Sequence, residues 1–173
     1  IVLAWDYASP DDRPDMDALR EYGEIVVVAW SFGVAIAAGF LRSLRAELPV
    51  TAAIAVNGTP WPVDDTRGIP RTIFSGTLDV LSERTLDKFN LRMAGNRDLW
   101  MRFSETAPAR TIDSLRRELA VFAALKPETN LELWDTVFIA DDDRIVPTAS
   151  QLCAWAAHPD IRRIEGAHLP DFD

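Results

Sequence analysis

The chain has 173 residues, 48% of them hydrophobic, with a formal net charge of −9 and an isoelectric point near 4.7. That size and apolar content support one core rather than two. The acidic balance and the lack of a basic or aromatic binding motif argue against nucleic acid, and no apolar run approaches the ~20 residues of a membrane helix.

Taken in chain order, Ile1 to Tyr7 reads as a buried strand entering a polar loop, Ala8 to Asp15, so the chain is expected to start in mid-fold. The next element is the most informative. An apolar run, Ile25 to Val28, enters Ala29-Trp30-Ser31-Phe32-Gly33 and leaves into Val34-Ala35-Ile36-Ala37-Ala38, which reads as strand, sharp turn and buried helix. A small-X-Ser-X-Gly turn lifts one hydroxyl clear of the backbone beside the first amides of a helix, where it can attack an acyl carbon. Ser31 is therefore the candidate nucleophile, although Ala29 stands where G-x-S-x-G has its first glycine. The competing reading is an ordinary loop with an N-cap serine.

Thr51 to Val56 is a strand ending at the turn Asn57-Gly58-Thr59-Pro60, and no further sheet strand is expected before Thr136. Residues 64–127 are read as a helical insertion in a core made of 1–63 and 128–173. Leu86, Phe89 and Met93 recur at helical spacing, as do Ile112, Leu115, Leu119 and Phe122 behind the N-cap candidate Thr111. An insertion here is expected to lie over the nucleophile and shape a pocket. It carries eleven basic and nine acidic residues, net +2, against −11 for the remainder. Its Arg67, Arg71, Arg84, Lys88, Arg92, Arg97 and Arg102 are either solvated helix faces or a basic surface that steers an acidic partner.

Thr136 to Ala140 is another apolar strand, running into Asp141-Asp142-Asp143-Arg144-Ile145-Val146-Pro147. An acid at that strand end and a base past the short strand Ile161 to Ile164, in Glu165-Gly166-Ala167-His168, complete the chain order Ser, Asp, His of the α/β-hydrolases. The three adjacent aspartates leave the acid open between them. Asp143 resembles the superfamily's acid, four residues before a proline, with Asp142 as the fallback. His158, before Pro159 at the end of a helix predicted over Thr148 to Ala157, reads as structural. The single cysteine, Cys153, excludes an internal disulfide, fits a reducing compartment, and is expected to pack among Leu152, Ala154 and Trp155 on that helix.

These residues bring a family with them. The chain resembles the pimeloyl-acyl-carrier-protein methyl ester esterases of biotin synthesis, in their compact α/β-hydrolase variety. The resemblance rests on Trp5-Asp6-Tyr7, Val28-Ala29-Trp30-Ser31-Phe32-Gly33-Val34, Ala55-Val56-Asn57-Gly58-Thr59, Gly68-Ile69-Pro70 with Ile73-Phe74 and Gly76-Thr77-Leu78, and Glu165-Gly166-Ala167-His168. Within that family Ala-Trp-Ser is the pattern, so Ala29 is no departure. The resemblance implies a cytoplasmic serine esterase that removes the methyl ester from pimeloyl-acyl-carrier-protein methyl ester, with no metal or organic cofactor. The fold implied is a mostly parallel α/β-hydrolase sheet with a helical lid, cut at both ends. It assigns Ser31, His168 and Asp143 to catalysis and Phe32 N–H to the oxyanion, with the other donor from a loop ahead of this sequence. Trp30 would wall the pocket, while Arg84 and Arg92 meet the acidic carrier protein and its phosphate. The alternatives are a general carboxylesterase, a carrier-protein thioesterase, or a non-catalytic carrier-binding fragment.

Overall fold

The computed structural model describes residues 15–105 and 110–171, so the strand and loop expected over Ile1 to Pro14, with the motif Trp5-Asp6-Tyr7, lie outside the described residues. The elements follow as α1 (Met16–Leu19), β1 (Ile25–Trp30), α2 (Phe32–Glu47), β2 (Val50–Val56), α3 (Arg71–Asp79), α4 (Glu83–Ala94), α5 (Arg97–Ser104), α6 (Ile112–Ala124), a 3-10 turn (Leu131–Leu133), β3 (Thr136–Ala140), α7 (Thr148–Ala154) and β4 (Ile161–Ile164).

The four strands form one sheet in the order β1-β2-β3-β4, every pair parallel. Parallel neighbours need a crossover, and helices supply each one: α2, then α3 to α6, then α7. β1 runs two residues past its apolar start because Ala29 and Trp30 still pair with Ala55 and Val56. Val56 is in turn opposite Phe138, and Ala140 opposite Ile164, so the carboxyl ends of the strands line one edge of the sheet. That is the edge where open α/β sheets hold ligands.

One face of the sheet carries Ala29, Ala53, Ala55, Val137 and Ile139, all buried in the same apolar cluster as Val34, Ile36, Ala37, Leu41 and Leu44 of α2. The alanines let the helix approach closely, and each large apolar side chain buried there contributes roughly 1.5–3 kcal/mol. Val26 and Val28 point from β1 to the other face, where they are 51% and 63% exposed.

The segment between β2 and β3 is helical for chemical reasons local to each piece. Ser82 and Thr85 cap α4 reciprocally, and the helix stops at Gly95, whose φ of 78° favours glycine. A Cβ at Gly95 would stand 2.6 Å from Ala167 Cβ, so this helix end lies against the loop that carries His168. Asn96 and Thr111 cap α5 and α6 with their side chains.

Two expectations on α7 are corrected. The helix ends at Ala154 rather than Ala157, where Trp155 is wholly buried and its indole N–H donates to Gly58 O at 2.9 Å. Cys153 is exposed, because α7 turns Ser150, Gln151 and Ala154 inward and leaves Leu152 and Cys153 on the outer side.

The loop leaving β2 is tied by Asp64. Burial works to raise this carboxyl's pKa, but Thr66 N–H, Arg67 N–H and the Thr66 hydroxyl donate to it at 2.8–3.0 Å, and together with the Arg67 guanidinium they lower it from 3.8 to about 2. A pKa below the unfolded value stabilises the fold above pH ~4, and that stabilisation is lost as the pH falls towards 2. Asp64→Ala is expected to cost about 2 kcal/mol at pH 7. Denaturant unfolding of both proteins between pH 7 and pH 2 should show the difference closing below pH 4.

Candidate active site

Ser31 joins β1 to α2 with φ 57° and ψ −128°, a conformation that non-glycine residues rarely adopt. It occupies the N-cap position, yet its side chain makes no capping bond. Its Oγ lies 2.8 Å from Nε2 of His168, so the hydroxyl is committed to an imidazole 137 residues away. The N-cap reading therefore fails on geometry. The turn is held from below by Ser31 N–H donating to Val56 O at 3.0 Å, and Gly58 is needed beside it: a Cβ there would stand 2.2 Å from Ser31 O.

His168 is 1% exposed and sits in the irregular segment after β4. Its Nδ1–H donates to Asp143 Oδ2 at 2.8 Å, which leaves Nε2 as the acceptor facing Ser31. Asp143 follows β3 and is itself buried. Its Oδ1 accepts Ile145 N–H at 2.9 Å and Val146 N–H at 3.0 Å, and its Oδ2 accepts Gln151 Nε2 at 2.8 Å as well as the histidine. Asp142 is exposed and pairs with Arg144, while Asp141 is exposed and pairs with Arg163. Of the three adjacent aspartates only Asp143 reaches the histidine. His158 is distant in role: its Nε2 donates to Trp134 O at 3.0 Å, and its Nδ1 accepts Asp160 N–H at 3.2 Å.

Phe32 is the first residue of α2, so its N–H has no intrahelical acceptor and lies next to the serine. Its ring stacks on Phe122 of α6 with centroids 4.2 Å apart. Ser31, Phe32, Trp30 and His168 open into a cavity of about 290 Å³ whose other walls come mainly from the helical segment, among them Phe74, Leu86, Phe89, Met93 and Leu119. The polar contributions are few: Thr77, Arg92, whose guanidinium lies 5.7 Å over the Phe89 ring, Arg144 and Glu118. Arg84 is exposed on α4 and is not part of the cavity wall. Trp30 lines the cavity and also donates its indole N–H to His168 O at 2.9 Å.

Two residues to which the sequence analysis assigns no role in the site complete the arrangement. Gln151 is wholly buried, and its carboxamide N–H groups go to Asp143 Oδ2 and Val146 O, both at 2.8 Å, while Oε1 has no partner among the described residues. Asn57 is wholly buried at the end of β2, bonded to both the acid strand and the histidine loop. Gln151 carries no spacing signal, and Asn57-Gly58, although within the family motif Ala55 to Thr59, is read structurally as a turn. Among the described residues no cluster of His, Cys, Asp or Glu is arranged for a metal.

A parallel sheet with serine in a strained strand-to-helix turn, and with acid and histidine past later strand ends, is the architecture of an α/β-hydrolase. The fold agrees with a hydrolase of Pseudomonas aeruginosa, 14% identical, which superposes with a TM-score of 0.62 over 89% of this chain and 60% of that one. The chain belongs to the BioG family: the family model described as pimeloyl-ACP methyl esterase BioG matches residues 1–172. The crystal structure of BioG from Haemophilus influenzae is 35% identical and superposes with a TM-score of 0.79, covering 95% of this chain and 75% of that one. A malonyl-[acyl-carrier protein] O-methyltransferase of Bacteroides fragilis (strain 638R) is 40% identical over 176 residues, 99% of this chain. The chain spans 35% of that relative's length. No helix among the described residues is long and apolar enough to cross a membrane.

Proposed function

We propose that this chain is a cytoplasmic serine esterase that hydrolyses the methyl ester of pimeloyl-acyl-carrier-protein methyl ester to methanol and the free ω-carboxylate. The observation that carries the reading is the line Ser31–His168–Asp143, at 2.8 Å for each link, opening on an apolar cavity in a BioG family member. His168 Nε2 takes the Ser31 proton as Oγ attacks the ester carbon, and Phe32 N–H donates to the carbonyl oxygen as it becomes an oxyanion. His168 returns the proton to the methoxy oxygen, and methanol leaves. Water, deprotonated by the same nitrogen, then adds to the acyl-serine, and collapse of that adduct restores Ser31 and releases the acid. Each step uses groups of the protein, and no cofactor enters it.

The Bacteroides relative is named for methyl transfer to a malonyl carrier protein, and the matched stretch is about a third of it. Methyl transfer does not call for an activated serine, whereas removing a methyl ester does, which supports the esterase reading for the stretch represented here. The apolar wall suits an acyl chain, and the helical segment that provides it acts as a lid over Ser31. The test is the mass of pimeloyl-carrier-protein methyl ester after incubation with the chain. Loss of the methyl group with the thioester intact supports the proposal; cleavage of the thioester instead makes the chain a thioesterase, and an unchanged mass leaves a binding module.

Arg92 at the cavity and Arg84 on the outer side of the same helix are assigned to the acidic carrier and its phosphate. Reversing both charges, Arg84→Glu with Arg92→Glu, is expected to raise KM for the carrier-linked ester by about tenfold. KM for a small free methyl ester should stay within about twofold. Steady-state kinetics on the two substrates decide it.

Gln151 is assigned to holding the carboxylate that holds the histidine. Gln151→Leu removes one of four donors to Asp143 and is expected to lower kcat/KM by about tenfold. The loss should fall on small and carrier-linked esters alike, as kinetics on both would report.

A further inference from the structure

His168 sits in a stretch, 165–170, that belongs to no helix or strand, and its ring must nevertheless stay within hydrogen-bonding distance of Ser31 Oγ. Gly166 O accepts Asp142 N–H at 3.0 Å and Leu169 N–H donates to Met93 O at 2.9 Å on either side of the histidine, and between them the histidine's own carbonyl is held by side chains. His168 O accepts the indole N–H of Trp30 at 2.9 Å and the carboxamide Nδ2 of Asn57 at 2.8 Å. A carbonyl oxygen has two lone pairs, and here both are taken by side chains.

The origins of these donors matter. Trp30 is the residue immediately before Ser31, so its bond couples the nucleophile's turn to the base's loop through one ring. Asn57 follows β2 with φ 47°, reaches Ala167 O at 3.3 Å with the same Nδ2, and accepts Ala140 N–H at 2.7 Å on Oδ1. Ala140 is the last residue of β3, three before Asp143. One buried carboxamide therefore joins the strand that leads to the acid to the loop that carries the base, and the indole joins that loop to the serine. The Trp30 and His168 rings are also tilted face to face, with centroids 5.3 Å apart.

We infer that Trp30 and Asn57 are positioning residues for the base: together they clamp the His168 carbonyl and thereby hold Nε2 on Ser31 Oγ. The inference rests on His168 being the base proposed above. Trp30 also walls the cavity, so the test must separate its N–H from its bulk. Replacing Trp30 with 3-benzothienylalanine keeps the ring outline and puts sulfur where the N–H was; Trp30→Phe and Asn57→Ala are the genetic counterparts. The readouts are the rate at which a small fluorophosphonate labels Ser31, kcat and KM for a methyl ester, and the melting temperature.

With the N–H gone, labelling and kcat are expected to fall by about 10- to 100-fold with KM within about twofold, the scale of loss that a small misplacement of a catalytic group produces. Asn57→Ala should do the same in whatever fraction folds; if it does not fold, the Trp30 replacement decides. Unchanged labelling and kcat with a raised KM would make Trp30 a cavity wall and overturn the inference. Wild-type Ser31 that resists labelling would overturn both it and the proposed chemistry. Wild type that labels but leaves the carrier-linked ester intact would overturn only the proposed substrate, and the labelling rates would still judge the clamp.

Discussion

Ser31→Ala is expected to lower kcat for ester hydrolysis by roughly 10⁶-fold, because a nucleophile that works as a unit with its base takes the whole covalent route with it when removed. The fold should not pay for the change. The side chain makes no capping bond to α2, and the backbone bonds that hold the turn, Ser31 N–H to Val56 O and Val34 N–H to Ser31 O, do not involve Oγ. The positive φ is set by that backbone and by the close approach of Gly58, and alanine meets the same φ as serine does. The melting temperature should therefore shift little, and a fluorophosphonate should leave the variant unlabelled while labelling the wild type. A variant that kept more than about a hundredth of the wild-type rate would exclude the acyl-serine route, since no other group in the proposed scheme could carry the acyl chain.

The sequence made the sheet legible because parallel strands covered by crossover helices appear as short β-branched or apolar runs bounded by turns. Thr136–Ala140 and Ile161–Ile164 are strands over those very residues. β1 was legible at its start, but its end was not, since Ala29 and Trp30 belong to the strand only through pairing with β2. The helices α4 and α6 follow from their stripes and caps, Thr111 included. Cys153 is exposed against expectation because neighbours in sequence lie on different sides of a helix, and the choice of buried side depends on where Trp155 finds Gly58 O.

The site divides in the same way. Ser31 and His168 could be named because their loops have a recognisable form, and the structure adds what a linear reading has no access to. Asn57 and Gln151 make bonds spanning 8 to 111 residues, and neither the family motif around Asn57 nor any spacing at Gln151 says which groups their amides meet. Trp30 is a wall by its place beside Ser31 and also a donor to the histidine's carbonyl, a second role that requires the two loops to be in register.

Asp143→Asn is expected to lower kcat by roughly 10⁴-fold, with Asp142→Asn and Asp141→Asn each within about twofold of wild type. The three residues are adjacent and chemically identical, so the contrast depends entirely on geometry. Asp143 is buried and accepts four hydrogen bonds, two from the backbone of Ile145 and Val146, one from Gln151 and one from His168. Asparagine at 143 could still accept two backbone bonds on Oδ1, so the loop should keep its shape. Its other end would be an NH₂ facing two donors, and His168 would be driven to the tautomer that carries its proton on Nε2, pointing at Ser31 instead of accepting from it. Asp142 and Asp141 spend their carboxylates on exposed pairs with Arg144 and Arg163, contacts worth at most about 1 kcal/mol, which asparagine can lose without moving the site. Turnover of a simple methyl ester by the three variants, with folding checked by unfolding curves, is a direct measurement. A large loss at Asp142 with none at Asp143 would mean that the loop rearranges in solution and that the other carboxylate serves the histidine.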